Sequence, residues 1–266
     1  MRLLLPIIFS LLLAACSTLP TPAPAARSAT AAEAMAVLSR SAASHGRPWT
    51  RYQKVEVSYE GEWSTIATRI QPVVTDPQFR KSSVEVYQPR QLLVRQVHSG
   101  TGGTKEVVRH GRRIEVKRNG ERSSDPEVRD AAALVADAYT VFLFGTSWLA
   151  ENARDVRLLE SRALDGEQCK LVAGRLAPGV GNSPEDHFIA WIGEKSGLLL
   201  RYQFSLNGMD STRGADVDVV FSGHWKAADG SVWPKQFVED IQRPIRARAH
   251  VWQMVSLSLD GVRALR

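Results

Sequence analysis

Cysteine is almost absent from this chain, with two in 266 residues, at positions 16 and 169. That excludes a small secreted domain stapled by several bridges, and Cys169 reads as a small buried apolar residue. Six histidines are scattered at 45, 98, 110, 187, 224 and 250, with no His-Glu-x-x-His pair and no Cys/His cluster. A zinc site is therefore not expected, and no metal or cofactor is implied. No Gly-x-Ser-x-Gly elbow occurs. Ser99–Lys105 has the glycines of a phosphate loop but lacks its Gly-Lys-Ser/Thr ending and runs into a strand, so it reads as a hairpin loop. The net charge of +6 is spread without a block of like charges, which gives no footprint for nucleic acid. No repeat of solenoid or propeller length is visible. These absences point away from an enzyme, with no catalytic residue to name.

The clearest positive signal is at the start: Arg2, an apolar run from Leu3 to Leu13, then Leu13-Ala14-Ala15-Cys16. The run is too short for a membrane-spanning helix, which needs about 20 residues, and has the layout of a secretory signal. The four residues ending at Cys16 match a lipobox, so residues 1–15 are expected to be a lipoprotein signal peptide. Resemblance to bacterial lipoproteins implies a diacylglyceryl thioether on Cys16 and an amide-linked acyl chain such as palmitate on its amino group. Two or more chains anchor stably where one does not. Ser17, rather than Asp, follows Cys16; by analogy with enterobacterial lipoproteins this implies the outer membrane, facing the periplasm. Residues 16–29, rich in Pro, Ala and Ser, read as lipidated Cys plus flexible tether, reaching roughly 40 Å in polyproline geometry.

Residues 30–266 read as one domain. With 44% apolar and 23% charged residues it can bury a sizeable core. A helix is predicted from Thr30 to a stop at Gly46, its stripe formed by Met35, Leu38 and Ala42. A second starts at Ser124-Asp125-Pro126-Glu127, a cap with Pro at the first helical position. Its end, Tyr139 to Phe144 before Gly145, has almost no polar face and must be covered by protein or face a greasy cavity.

The rest reads as about eleven to thirteen antiparallel strands. Tyr52–Tyr59 and Trp63–Ile70 are predicted to flank a Glu60-Gly61-Glu62 turn; Val156–Ala163 and Gln168–Arg175 meet at Asp165-Gly166. Leu198, Leu200, Tyr202, Phe204 and Leu206 share one face of a strand. Val217, Val219, Phe221 and Trp225 share a face of the next, with Asp216 and Asp218 on the opposite, solvent side. In the last strand Val251, Val255, Leu257 and Leu259 alternate with Trp252, Met254 and Ser256. A mainly β (α+β) fold follows: one large curved sheet, apolar inside and polar outside, with helices over the inner face.

At this level the chain resembles the LolA/LolB-like lipoprotein-carrier superfamily. The likeness covers residues 30–262 in element order and is most marked from Val217–Lys226 through Asp229-Gly230, Trp233-Pro234 and Arg243-Pro244 to His250–Leu259. The resemblance implies an incomplete antiparallel β-barrel, or half-barrel, with an N-terminal helix and a mid-chain lid helix. It also implies a membrane-anchored protein that receives or holds a lipid or lipoprotein acyl chain. The expected cavity lining is Phe142 and Phe144 of the lid helix with Leu200, Tyr202, Phe204, Val219, Phe221 and Trp225 of the sheet. The alternative is a cargo-free adaptor lipoprotein that binds an envelope protein partner.

Overall fold

The computed structural model describes Leu19, residues 29–243 and residues 245–265. The signal peptide, Cys16, Ser17 and most of the tether lie outside the described residues, as does Pro244. Strands make up 49% of the described residues and helices 26%, so the mainly β expectation holds.

In chain order the elements begin with helices α1 (Ala29–Ser44) and α2 (Pro48–Arg51), strand β1 (Val55–Trp63), and helices α3 (Thr65–Ile70) and α4 (Pro72–Thr75). Strands β2 (Ser82–Gln88), β3 (Leu93–Gly100), β4 (Gly103–His110), β5 (Arg113–Arg118) and β6 (Glu121–Arg122) lead to the long helix α5 (Pro126–Asn152). Then come β7 (Ala153–Leu164), β8 (Glu167–Leu176), β9 (Asp186–Gly193), β10 (Leu199–Leu206) and β11 (Ala215–Ser222). A two-stranded ribbon of β12 (Trp225–Lys226) and β13 (Val232–Trp233) precedes β14 (Gln236–Arg243), β15 (Ala247–Leu259) and β16 (Val262–Leu265). Fourteen of these strands form one antiparallel sheet in the order β6-β5-β4-β3-β2-β1-β15-β14-β11-β10-β9-β8-β7, with β16 on β15. The sheet is not closed into a barrel.

α5 runs through the interior. Asp125 caps it, its carboxylate accepting from Glu127 N at 2.9 Å, and Pro126 takes the first turn. It is long and apolar enough to cross a membrane, but 89% of its most apolar stretch is buried inside the fold, so it is a core helix. The break expected at Gly145 is present (φ 51°, ψ −130°), yet the helix resumes and runs to Asn152. Beyond the break the Thr146 and Ser41 hydroxyls meet at 2.9 Å, and Ser147 Oγ accepts from Trp49 N at 3.0 Å.

The predicted Gly61 turn is wrong. β1 passes straight through Gly61 to Trp63, and residues 65–70, expected as strand, are α3. A Cβ at Gly61 would stand 2.1 Å from both the Trp252 ring and the Val251 carbonyl. The glycine therefore serves a close approach between β1 and β15, not a reversal. Ser64 then starts α3 by accepting from Ala67 N at 3.1 Å.

Two bulges overturn predicted faces. β10 slips against β9 between Leu199 and Arg201; Leu199, Tyr202 and Phe204 join the inner core while Leu200 packs on the outer face. In β15 a slip against β1 takes Val255 out of register, so Trp252, Met254, Leu257 and Leu259 all point inward and Val255 is exposed. One inserted residue reverses the parity of everything after it. Asp216 and Asp218 do not face open solvent either. Both are buried, and Asp218 takes a two-pronged contact from Arg201.

Candidate functional site

The residues predicted to line a cavity are mostly found packed together. Phe142 of α5 lies 5.8 Å from Phe204, 6.2 Å from Phe221 and 5.3 Å from Phe237, ring centre to ring centre. Tyr202 stacks on Phe204 at 5.3 Å, and Phe144 meets Trp49 edge-on at 5.1 Å. Apart from half-buried Trp49, these residues and Val219 are buried in one core. Trp225 sits half-buried at its edge in the β12–β13 ribbon, opposite Trp233, and Leu200 lies on the other side of the sheet.

An apolar cavity of about 420 Å³ lies beside this core, at the end of the half-barrel where β1 finishes. That volume falls within the range of small-ligand sites. α3 and α4 form one wall through Ala67, Ile70 and Val74; Leu206, Val217 and Ile241 of the sheet form the other, with Trp63 alongside. Gln71 Nε2, between the two short helices, donates to Ser211 O at 2.6 Å, which pins this wall to the turn before β11. Polar groups gather at Arg213, Arg243 and Glu239. Ile70 and Ile245 line the cavity while remaining 41% and 47% exposed, which leaves an apolar mouth open to solvent.

Beneath the cavity is a polar network that the sequence pattern does not announce. Arg80 is buried; its guanidinium donates to Val74 O at 2.6 Å and to Tyr139 Oη at 2.5 Å, and lies 4.6 Å from the centre of the Trp63 ring. His250 packs edge-on to Trp63 at 4.2 Å with Nε2 2.9 Å from Glu239. Farther in, Glu85 accepts from Ser83 Oγ at 2.7 Å and from Tyr87 Oη. Burial raises the Glu85 carboxyl above its ordinary range against these hydrogen bonds. Burial, helped by the Arg80 and Lys105 charges, drives His98 well below its ordinary value. Lys105 donates to Asp76 at 2.7 Å, and burial brings it down to about 8 despite that pairing.

This arrangement ties elements together rather than activating a nucleophile: no hydroxyl or thiol of the network is hydrogen-bonded to an imidazole. No cluster of three or more His, Cys, Asp or Glu that could hold a metal occurs among the described residues. Ser83 and Glu85 alternate with Val84 and Val86, and that alternation conceals the network. The pattern favours the valines as the core face, and the structure takes the other.

No family model and no curated protein matches the chain. Solved structures similar to it include a LolA superfamily protein from Nitrosomonas europaea, with TM-score 0.48, 11% identity, and 90% of this chain and 94% of that chain covered. A DUF1329 family protein from Desulfovibrio piger gives 0.45 at 13% identity over 88% and 94%. The lipoprotein LppX from Mycobacterium tuberculosis gives 0.29 at 16% identity over 66% and 90%. At these identities no residue role passes from those chains to this one.

Proposed function

We propose that the protein is a non-enzymatic envelope lipoprotein, anchored through acylated Cys16 on the periplasmic side of the outer membrane, that holds a lipid acyl chain in the cavity behind α3 and α4. The observation that carries this reading is the cavity itself, walled by aliphatic side chains with its mouth at exposed Ile70 and Ile245. Each methylene moved from water into such a space gains about 0.8 kcal/mol, so eight buried methylenes contribute about 6 kcal/mol before ordering costs. The lipobox supports the anchor: its residues match at all four positions up to Cys16. The expected lining moves accordingly, from Phe142 and Phe204 to Ile70, Val74, Leu206 and Ile241.

The test is native mass spectrometry and lipid extraction of the full chain purified in mild detergent and exchanged to a volatile buffer. Bound lipid is expected for the parent chain and is expected to be lost in Ile70→Asp, whose exposed position leaves the fold intact. A chain that carries no lipid, or one whose lipid survives Ile70→Asp and Leu206→Trp together, refutes the reading.

A further inference from the structure

The outer face of an open antiparallel sheet normally meets water, and most of this one does: outward-facing Val84 of β2 and Val97 of β3 are 54% and 41% exposed. On β8 and β9 the outward residues behave differently. Leu171 is 2% exposed, Trp191 6% and Ile189 7%. Leu171 pairs with Trp191 across the strands, Leu159 of β7 pairs with Leu171, and Leu200 of β10 packs against the same group. The described residue from outside the sheet that packs on this patch is Leu19.

We propose that Leu19 straps the chain to the outer face of β7–β10 and so fixes which side of the body meets the membrane. The path is long enough. Ten peptide steps separate Leu19 from Ala29, where α1 begins, a reach of about 33 Å. β7 is a free edge of the sheet. The distance round that edge and across three strands is about 24 Å, from strand spacings near 4.8 Å and a layer thickness near 10 Å. The occupant is this chain's own segment, because Leu19 already sits on the patch and the intervening length closes the circuit.

The consequence for the anchor rests on the reading of Cys16 proposed above. Only three steps separate Cys16 from Leu19, about 10 Å when extended, so docking at Leu19 shortens the reach between anchor and body from some 40 Å to about 10 Å. Leu19 also borders a polar hollow that contains Arg243 and Arg246, and Arg243 lines the apolar cavity as well. The strap therefore holds the cavity's rim next to the bilayer surface, where an acyl chain has the least water to cross.

The test places the photo-crosslinker p-benzoylphenylalanine at half-buried position 159 of the full chain in detergent. The expected result is an intramolecular crosslink to the tryptic peptide that contains Leu19, and its loss in Leu19→Asp. No crosslink to that peptide, a crosslink formed only between two copies, or a crosslink that persists in Leu19→Asp overturns the strap. Labelling with clickable palmitate, and its loss in Cys16→Ser, reads the anchor separately, so failure of one is distinguishable from failure of the other.

Discussion

His45 should make this fold acid-sensitive. It closes α1 against two other elements: Nδ1 lies 3.1 Å from Val232 O and Nε2 lies 3.0 Å from Leu199 N. The Leu199 amide is a donor, so Nε2 must accept, and the proton sits on Nδ1 facing the carbonyl. The ring is neutral and both nitrogens are satisfied. Protonation puts a second N–H against the Leu199 amide and a charge in the core. Burial accordingly lowers the His45 pKa from 6.5 to about 4; the Val232 carbonyl opposes the shift and nearby His224 adds to it.

The sign follows from linkage. Between pH 6.5 and about 4 the unfolded chain binds a proton at this site that the native chain does not, so stability falls as pH falls through that window. It is fully present above 6.5. At 1.36 kcal/mol per unit, the shift amounts to about 3 kcal/mol across the window, most of it gone by about pH 4.5. The assay is urea denaturation followed by tryptophan fluorescence at pH 7.5 and 4.5, for the parent and for His45→Gln. The glutamine variant starts out less stable because one of the two bonds is missing. What matters is the slope with pH, since the remaining titratable groups are common to both chains. The parent is expected to lose about 2–3 kcal/mol more than the variant between the two pH values. Equal losses, within about 0.5 kcal/mol, would refute the assignment of a neutral, doubly bonded imidazole.

Gly61→Ala forces a Cβ into the Trp252 ring and the Val251 carbonyl; overpacking of this kind costs about 1–3 kcal/mol or more and is expected as a clear drop in Tm by calorimetry. Arg109 is buried, with bonds of 3.0 Å and 2.7 Å to Asp137 of α5 and one of 3.1 Å to Gly181 O. Arg109→Met strands that carboxylate and is expected to cost about 3–5 kcal/mol in chemical denaturation, while replacing both Arg109 and Asp137 by apolar residues costs much less. Phe142→Ala, which empties the centre of the aromatic core, is expected to cost about 3–5 kcal/mol in the same assay. An unchanged denaturation midpoint in any of these variants contradicts the packing described for it.

What the sequence revealed and concealed divides along physical lines. α5 announces itself because capping chemistry is local: Asp125, Pro126 and Glu127 state its start without reference to the rest of the chain. The Asp165-Gly166 hairpin is legible for the same reason, since the positive φ at both residues is a property of the turn. Alternation puts Leu200 and Val255 on the wrong faces because it carries parity only as far as the next bulge, and a bulge is decided by the partner strand. The segment of α3 reads as strand since six residues are too few to show a helical period. The cavity was therefore hidden twice over: one wall is that short helix, and another runs through the ends of strands distant in sequence.

The inward cations of β4, and Arg80 just before β2, have a different cause. A closed barrel holds itself by ladder hydrogen bonds all the way round, but this sheet ends at β6 on one side and β7 on the other. Something else must hold the helices and loops that fill the gap. Arg80 reaches α4 and α5, Lys105 reaches Asp76 just after α4, and Arg109 reaches both Asp137 of α5 and the backbone at Gly181. Arg112 adds a bond to Gly179 O at 3.2 Å. Three cations on the inner side of the half-barrel thus bind partners outside the sheet, each buried where a valine could pack but not orient, and Arg112 joins them from the exposed hairpin tip. Charge is expensive to bury, and a lost partner costs more than a lost methyl group. That asymmetry makes such contacts poor glue and good alignment. On β2 the inner face carries Glu85, whose partners Ser83 and Tyr87 belong to its own strand, and Val84 is left to solvent, against the simpler rule that the more apolar face forms the core.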